Sequence, residues 1–368
     1  MSRNPILNRF SILTVSLLAS YALGFPEMVR HGYPNCTACH MSPDGGGLLT
    51  SYGRSLSEHL LSHWSNNAEG AFLYGAVNVP PWLALGGDIR TVLSHKQLAG
   101  SEGRVVLMQT DIEAGAKLGK FQFVGTVGRQ AVQGSHRVID EVLLRRHYLQ
   151  YTSGIFSLRV GKFPHAFGIH MADHTSAIKR GLGWDQGTET YNVEFSWTGA
   201  NLDAFASVVL GRPDAADLQR EKGLALRSSA FINSNSKTGI SYFFGWNDLG
   251  SRHVMGPFII AGFAEKFYLL AEADIQYFQS ASNQATLGSA DYIRINYEIL
   301  SGLHAYVVSE LLCLDFSQFS ALSDAYGLGV QFFPRPHLEV VLQWERIRNR
   351  AIMDRFGDFI WLMGHFYL

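Results

Sequence analysis

Charged residues are scarce in this sequence. They make up 17% of the 368 residues, and the formal net charge is only −1. Binding to nucleic acid requires a basic surface that neutralises phosphates, so the charge balance excludes that class. The chain is 47% apolar and contains 37 Gly, 24 Phe, 15 Tyr and 7 Trp. This composition excludes a disordered chain, is unusual for a soluble globular protein and favours one large β architecture.

Long apolar runs are also missing beyond residue 24. A transmembrane helix needs about 20 apolar residues, so no such helix is expected in the rest of the chain. Near the N-terminus, two arginines precede an apolar stretch that ends in the small-residue pattern Ala22-Leu23-Gly24. This is typical of a secretory signal peptide, and residues 1–24 are therefore predicted to be cleaved off before Phe25. An uncleaved membrane anchor is the alternative.

Cysteine is rare, and its placement is informative. Two of the three cysteines lie in Cys36-Thr37-Ala38-Cys39-His40. C-x-x-C-H is the attachment motif of c-type haem, in which both thiols add to the porphyrin vinyl groups and the histidine ligates the iron. We therefore predict one covalent haem c at Cys36 and Cys39, with His40 as an axial ligand of the iron.

The motif has three other interpretations. A disulfide between Cys36 and Cys39 would close a very tight loop and leave His40 unexplained. A zinc site would need a second ligand pair, and the sequence has no other cysteine pair. A thioredoxin-like dithiol would be surrounded by a βαβ pattern, which is absent. For the third cysteine, Cys313, no role is predicted.

The second axial ligand of the iron is a separate question. After a turn-rich stretch at residues 41–47, residues 51–64 have a helical pattern in which His59 and His63 share one face. His31 lies shortly before the first motif cysteine. The candidates are therefore His63 and His59, followed by His31, and the alternative is an iron with no second protein ligand.

From Leu83 onward, apolar and polar residues alternate. In residues 191–197, Tyr, Val, Phe and Trp occupy one face, and Asn, Glu and Ser occupy the other; residues 293–299 repeat the pattern. Such alternation predicts β-strands with one apolar and one polar face. A β-sandwich would alternate as well, but usually with shorter strands and with its polar face in bulk water.

The connections between these strands favour a membrane barrel. Seven short turns are expected near residues 119–120, 153–154, 198–199, 233–236, 265–266, 301–302 and 334–336. Eight longer polar loops are expected near residues 95–103, 130–141, 164–189, 212–222, 247–255, 279–290, 314–324 and 348–357. Their strict alternation predicts an all-β fold, a 16-stranded antiparallel transmembrane β-barrel with strands of about ten residues. Both barrel termini then lie on the short-turn, periplasmic side, and the apolar residues face lipid rather than a central core.

The predicted organisation has three parts: a signal peptide at residues 1–24, a short, mostly helical or coil haem segment at residues 25–81, and an outer-membrane barrel at residues 82–368. The haem segment is too small to bury much surface by itself, so it is expected to lean on the barrel as a plug. The loop at residues 164–189 is longer than a hairpin needs and carries His165, His170 and His174.

A signal peptide, one C-x-x-C-H motif and a sixteen-stranded barrel in one chain resemble the fused cytochrome–porins of bacterial extracellular electron transfer, such as the iron-oxidising outer-membrane cytochromes. The resemblance covers the whole mature chain as an architecture, but only Cys36, Cys39 and His40 match as a motif. It implies an outer-membrane protein with the haem segment in the barrel lumen or at its periplasmic mouth. By resemblance to general porins, the third external loop is expected to fold inward, and a solvated surface loop is the alternative.

Three functions follow from these features. The first is electron transfer between an external donor or acceptor, such as a metal ion or redox mediator, and periplasmic c-type cytochromes; the protein would then be an electron carrier or a ferrous-iron oxidase. The second is a diffusion porin whose haem-bearing plug gates the pore or senses redox state. The third is a haem peroxidase-like enzyme, for which the sequence offers no clear distal acid–base group.

Overall fold

The computed structural model describes residues 26–66, 68–130, 141–213 and 220–368. The predicted signal peptide and residues 131–140 of the second predicted external loop lie outside these residues. Within the described ranges, no helix has both the length and the apolar character required to cross a membrane.

Sixteen antiparallel strands form one closed barrel, as the alternation of turns and loops predicts. The strands are β1 (Leu83–Gln97), β2 (Ser101–Leu118), β3 (Phe121–Gln130), β4 (Glu141–Ser153), β5 (Phe156–Phe163), β6 (Thr190–Thr198), β7 (Leu202–Leu210), β8 (Lys222–Asn233), β9 (Ser236–Asn247), β10 (Gly250–Gly262), β11 (Phe267–Ser280), β12 (Ala285–Leu300), β13 (Leu303–Cys313), β14 (Ser323–Phe332), β15 (Leu338–Asn349) and β16 (Met353–Tyr367).

Each strand pairs with its neighbours in sequence, and β1 pairs with β16 to close the sheet. The closing register runs from Asp88 opposite Tyr367 to Gln97 opposite Asp358. Closure satisfies the backbone hydrogen-bonding groups of every strand inside the sheet, which is the condition for a β-structure to lie in lipid.

The two faces of the barrel have opposite character. In β12, Ile293 and Ile295 point outward and stay 47% and 42% exposed, whereas the inward Asn296 is fully buried. The same alternation holds in β6, where the inward Asn192 and Glu194 are each 1% exposed. Polar side chains lining an open aqueous lumen would be accessible to solvent. Their burial shows that the lumen is filled.

The third loop, residues 164–189, is one of the two parts that fill the lumen. Its backbone N–H groups donate to inward side chains on different strands: Gly168 to Ser241 Oγ at 2.9 Å, Ile169 to Glu272 Oε2 at 2.6 Å, and Ala177 to Glu310 Oε2 at 2.7 Å. The inward fold of this loop is therefore confirmed.

The expectation that apolar residues serve only the lipid face is wrong. The lumen contains a hydrophobic core that joins side chains of the third loop to inward aromatic and aliphatic side chains of the barrel. Its members include Ile169, Ile178, Leu182, Phe243, Val254, Phe258 and Tyr292. The core exists because the long third loop carries its own apolar residues into the lumen, where they pack against inward residues that break the polar alternation.

The N-terminal segment, residues 26–81, is the other part that fills the lumen. Short 3-10 turns lie at Pro26–His31, Cys36–Ala38 and Phe72–Gly75, and a helix α1 (Ser51–Leu56) continues as a π turn through Leu61. Helix α1 begins where the Thr50 hydroxyl accepts the Gly53 N–H at 3.0 Å, a side-chain N-cap.

Contacts with the barrel place this segment at the short-turn end. The backbone N–H groups of His63 and Trp64 donate to the carbonyls of Phe333 and Pro334, at 2.9 and 3.0 Å. Asn235 donates to the Arg30 carbonyl at 2.9 Å, in the turn between β8 and β9. The segment thus enters the lumen from the end at which both barrel termini lie.

Four connections that the sequence predicts as long loops are short in the structure. The strands continue through most of the residues expected in loops, which leaves residues 98–100, 248–249, 281–284 and 350–352 as connections. Many strands are accordingly longer than the predicted ten residues, up to 18 in β2. Polar residues do not by themselves end a strand. Here the strands remain paired as polar hairpins after the apolar alternation ends, since the neighbouring strands satisfy their backbone N–H and C=O groups.

Candidate functional site at the C-x-x-C-H motif

The motif lies on a single tight turn of the N-terminal segment. The Asn35 side chain caps the 3-10 turn by accepting the Thr37 N–H at 3.3 Å, and the His40 N–H donates to the Cys36 carbonyl at 2.9 Å. Cys36 and Cys39 are not bonded to each other. The turn brings both cysteines and His40 together on adjacent positions of one compact loop.

Cys39 is fully buried in a small apolar cluster of the segment. The cluster also contains Met28, Tyr33, Leu56, Leu61 and Phe333 of the barrel. Helix α1 lies directly on the motif, because a Cβ at position 53 would collide with the Cys39 backbone and only glycine fits there. An apolar surrounding of this kind is what a porphyrin ring requires.

A turn of three glycines follows the motif. Gly45, Gly46 and Gly47 have φ angles of 95°, 70° and 65°, a left-handed conformation that other residues seldom adopt. A Cβ on Gly45 would lie 3.1 Å from the Cys36 Sγ, and one on Gly46 would overlap the His170 ring. The turn therefore forms a thin wall between the first motif cysteine and the third loop.

His40 has one ring nitrogen beside a backbone carbonyl of the glycine turn. Its Nδ1 lies 3.3 Å from the Gly47 carbonyl oxygen. Metal-bound histidines usually donate one ring N–H to a carbonyl or carboxylate, which leaves the other nitrogen for the metal. Two thiols, an imidazole anchored through Nδ1 and a glycine turn against Cys36 make a donor set that fits a c-type haem. When bound there, the haem would supply a one-electron ferric/ferrous couple.

Asp44, next to the glycine turn, forms an ion pair with Arg159 of the barrel. Its Oδ1 accepts from Arg159 Nη2 at 3.2 Å and from the Ser42 hydroxyl at 2.5 Å. Burial alone would raise the pKa of the Asp44 carboxyl, but Arg159 holds it at about 2. The carboxylate is therefore ionised at neutral pH, and Arg159 also reaches Glu194 Oε1 at 2.6 Å.

A cavity of about 240 Å³, the inner cavity, lies between the N-terminal segment and the third loop. His40, Gly46 and Leu61 line one side, and His170 and Met171 line the other. A larger vestibule of about 1080 Å³ shares several lining residues with the inner cavity, including Met171 and His174. The space beside His40 is thus adjacent to the vestibule.

The three histidines predicted as second axial ligands lie elsewhere. His59 is largely exposed on the π turn, and its Nδ1 lies 3.9 Å from Glu58 Oε1. His63 contacts the Ser301 carbonyl at 3.1 Å and packs on Trp64 at the short-turn end. None of His31, His59 and His63 lines the inner cavity. Nothing in the structure tests their ligation of iron, which stays a prediction.

Four other histidines line the inner cavity together with His40: His165, His170 and His174 of the third loop, and His365 of β16. The sequence shows the first three in a long loop but contains no signal that they line a cavity together with His40. Their position depends on where the loop folds, and loop conformation is not encoded by a periodic pattern.

The comparisons with known proteins concern the fold. No protein-family model and no curated protein sequence matches the chain. Among solved structures, the chain is similar to outer-membrane-expressed OmpT of Vibrio cholerae, with a TM-score of 0.61 and 11% identity over 79% of this chain and all of that one. An anion-selective porin from Comamonas acidovorans has a TM-score of 0.56 and 9% identity over 78% of this chain and 99% of its own. The chain has a porin-like fold.

The outer membrane channel DcaP of Acinetobacter baumannii shows a similar likeness, with a TM-score of 0.56 and 10% identity over 78% of this chain and 97% of that one. At such identities the likeness concerns the barrel architecture and no particular residue. Within this porin-like barrel, the N-terminal segment and the third loop meet around the inner cavity.

Proposed function

We propose that this protein is an outer-membrane electron-transfer protein with one haem c, bound covalently through Cys36 and Cys39 and ligated by His40. The observation that carries the proposal is the position of the C-x-x-C-H motif: it lies in the segment that fills the barrel, and the glycine turn that follows it contacts the third loop.

Residence in the outer membrane is supported by the porin-like fold and by the apolar outward face of the closed barrel. Outer-membrane lipid would contact the outward strand residues. The short-turn end, from which the N-terminal segment enters, would face the periplasm.

In the proposed reaction, an external metal ion or redox mediator and a periplasmic c-type cytochrome exchange one electron, so that the partner giving up the electron is oxidised and the other is reduced. Cys36, Cys39 and His40 would hold the haem, which would supply the one-electron couple between the two partners. The role of the protein would be to hold the redox group inside the barrel, where the surroundings and axial ligands of the group set its potential.

A diffusion porin with a haem-bearing plug or redox sensor is the second candidate. The comparisons favour it, because the similar structures include proteins described as a porin and as a channel. The N-terminal segment and the third loop, which both occupy the lumen beside the vestibule, favour the electron conduit.

Reconstitution in liposomes tests the two functions against each other. Purified protein is inserted into vesicles that contain a membrane-impermeant redox dye, and a reductant is added outside. The conduit predicts reduction of the dye while entrapped sugars stay inside. Sugar leakage without haem-dependent reduction would instead identify a diffusion porin.

Two cysteine variants make the result specific. Cys36→Ala is expected to lose covalent haem on a haem-stained gel and to lose dye reduction. Cys313→Ala is the matched control, since Cys313 lies at the end of β13, outside the haem motif, and its Sγ donates to the Asp315 carbonyl oxygen at 3.5 Å. This variant is expected to keep both covalent haem and dye reduction. Full haem retention in Cys36→Ala would overturn the proposed function.

A further inference from the structure

The N-terminal segment leaves the barrel lumen just after Leu61. Leu61 is buried in the apolar cluster that also contains Phe333 of the barrel. The His63 N–H donates to the Phe333 carbonyl at 2.9 Å. The Trp64 N–H donates to the Pro334 carbonyl at 3.0 Å, in the turn between β14 and β15. The chain thus runs from the lumen onto the short-turn edge of the barrel.

The rings of His63 and Trp64 lie on the outer side of that edge. The exposed, outward residues of β14 are Tyr326, Leu328 and Val330. Because side chains alternate along a strand, Phe332 is the next outward residue. The Trp64 ring meets the Phe332 ring edge-on with centroids 5.9 Å apart, and the His63 ring lies 6.2 Å from it. The two rings therefore continue the outward face of β14 at its periplasmic end.

The neighbouring turns fix this crossing in place. Gly302, in the turn between β12 and β13, has a φ angle of 78°. A Cβ there would lie 2.7 Å from the Leu61 carbonyl oxygen and 2.8 Å from the His63 nitrogen, so only glycine lets the segment pass. Beyond the crossing, Glu69 pairs with Arg335 of the turn between β14 and β15. The chain is thus held to the barrel before and after it passes over the edge.

Two exposed aromatic residues of the segment have different surroundings. Trp64 is 54% exposed and lies beside the outward end of β14. Tyr74 is 45% exposed but packs on the buried His337. The His337 ring in turn contacts the inward Tyr367, so Tyr74 lies at the mouth of the barrel. A half-exposed tryptophan that continues a lipid-facing strand matches the interfacial belts of membrane proteins, in which the apolar ring lies at headgroup level and the N–H stays hydrated.

We propose that residues 62–66, the rim hook, form a phospholipid-binding surface in which Trp64 inserts at the headgroup level of the periplasm-facing leaflet. The lipid that covers the outward face of β14 would extend onto the hook, because Phe332 and Trp64 form one continuous surface. The N-terminal segment is then anchored to the membrane as well as to the barrel. This inference goes beyond the proposed function and holds with or without bound haem.

Lipid photolabelling tests the inference. The purified protein is placed in nanodiscs, one copy per disc, that contain a phosphatidylcholine with a diazirine near its headgroup, and labelled peptides are identified by mass spectrometry after irradiation. The rim hook is expected to be labelled, and residues 72–76 around Tyr74 are expected to stay unlabelled. Trp64→Ser is expected to lose most of the label on the hook, and its His63 N–H is expected to exchange with solvent faster.

Tyr74→Ser is the matched control, since it removes an aromatic ring of similar exposure from the same segment; it is expected to keep the label on the hook. Heat-modifiable gel mobility checks that both variants are folded. The inference is overturned if the hook of the unchanged protein is unlabelled, if residues 72–76 are labelled equally, or if folded Trp64→Ser keeps the label. Labelling that disappears when each disc holds several copies would assign the surface to a second copy of the chain and would also overturn it.

Discussion

At the scale of single residues, Arg159 is a main link between the N-terminal segment and the barrel. Its guanidinium donates to Ser42 Oγ at 2.7 Å and to Asp44, reaches Glu194, and lies 3.8 Å from the centre of the Phe163 ring. The Arg159 guanidinium thus pairs with two buried carboxylates, Asp44 of the N-terminal segment and Glu194 of β6.

Arg159→Gln is expected to loosen the N-terminal segment. The substitution leaves Asp44 and Glu194 buried without their cation, which typically costs about 3–5 kcal/mol when one partner of a buried pair is removed. Limited proteolysis of the folded protein in detergent measures the effect as faster cleavage within residues 26–81.

Arg104→Gln is the control for this variant. Arg104 pairs with Glu102 at 2.6 Å, but both side chains are more than half exposed, so the change is expected to cost less than about 0.5 kcal/mol. Equal cleavage rates for Arg159→Gln and Arg104→Gln would contradict the role assigned to Arg159.

At the scale of elements, the glycine turn formed by Gly45, Gly46 and Gly47 is the piece of backbone that contacts both the motif and the third loop. Gly46→Ala places a side chain on a left-handed backbone, at about 1–2 kcal/mol, and forces it against the His170 ring. We expect the turn to open about ten-fold more often, since 1.4 kcal/mol corresponds to a factor of ten.

Hydrogen exchange measures this opening directly. The Met41 N–H bonds to the Leu48 carbonyl at 3.0 Å and the Thr50 N–H to the Cys39 carbonyl at 2.8 Å, so both are expected to exchange faster in Gly46→Ala. Gly125→Ala in β3 is the control, because a Cβ there meets nothing within 4 Å. Unchanged exchange at Met41 and Thr50 would show that the turn tolerates the side chain.

The strands and loops also show which features of the fold a sequence pattern can predict. The strands were predictable because alternation in stretches such as residues 191–197 and 293–299 is a local property. Several external loops were not, because in β10 and β12 the polar residues continue in paired strand rather than leaving it. Hydrogen bonds to the neighbouring strand, and not residue polarity, decide where a strand ends.

At the scale of the whole molecule, the barrel and the N-terminal segment differ in what they need to fold. Every strand of the barrel has two paired neighbours, so the sheet is closed without the segment. The segment, in contrast, depends on the barrel for Arg159, for Phe333 in its apolar cluster and for backbone partners at the short-turn end.

Removal of residues 26–81 from the mature chain is therefore expected to leave a folded barrel with a wider lumen. Heat-modifiable gel mobility would report folding, and ion conductance in planar bilayers is expected to rise. A variant with residues 281–284 replaced by Gly and Ser is the control, since this short connection lies outside the lumen core. Conductance that does not rise would mean that the third loop alone closes the pore.

The sequence by itself determined the strand architecture and the number of strands, because alternation and turns are local properties of residues close together along the chain. Only the tertiary structure decided which barrel residues the third loop and the N-terminal segment contact inside the lumen, and that His170 lies beside the glycine turn after His40. Such contacts join residues that are far apart in the sequence, and they arise from the closing of the barrel around both segments. Neither the hydrophobic periodicity nor the spacing of a motif predicts these contacts.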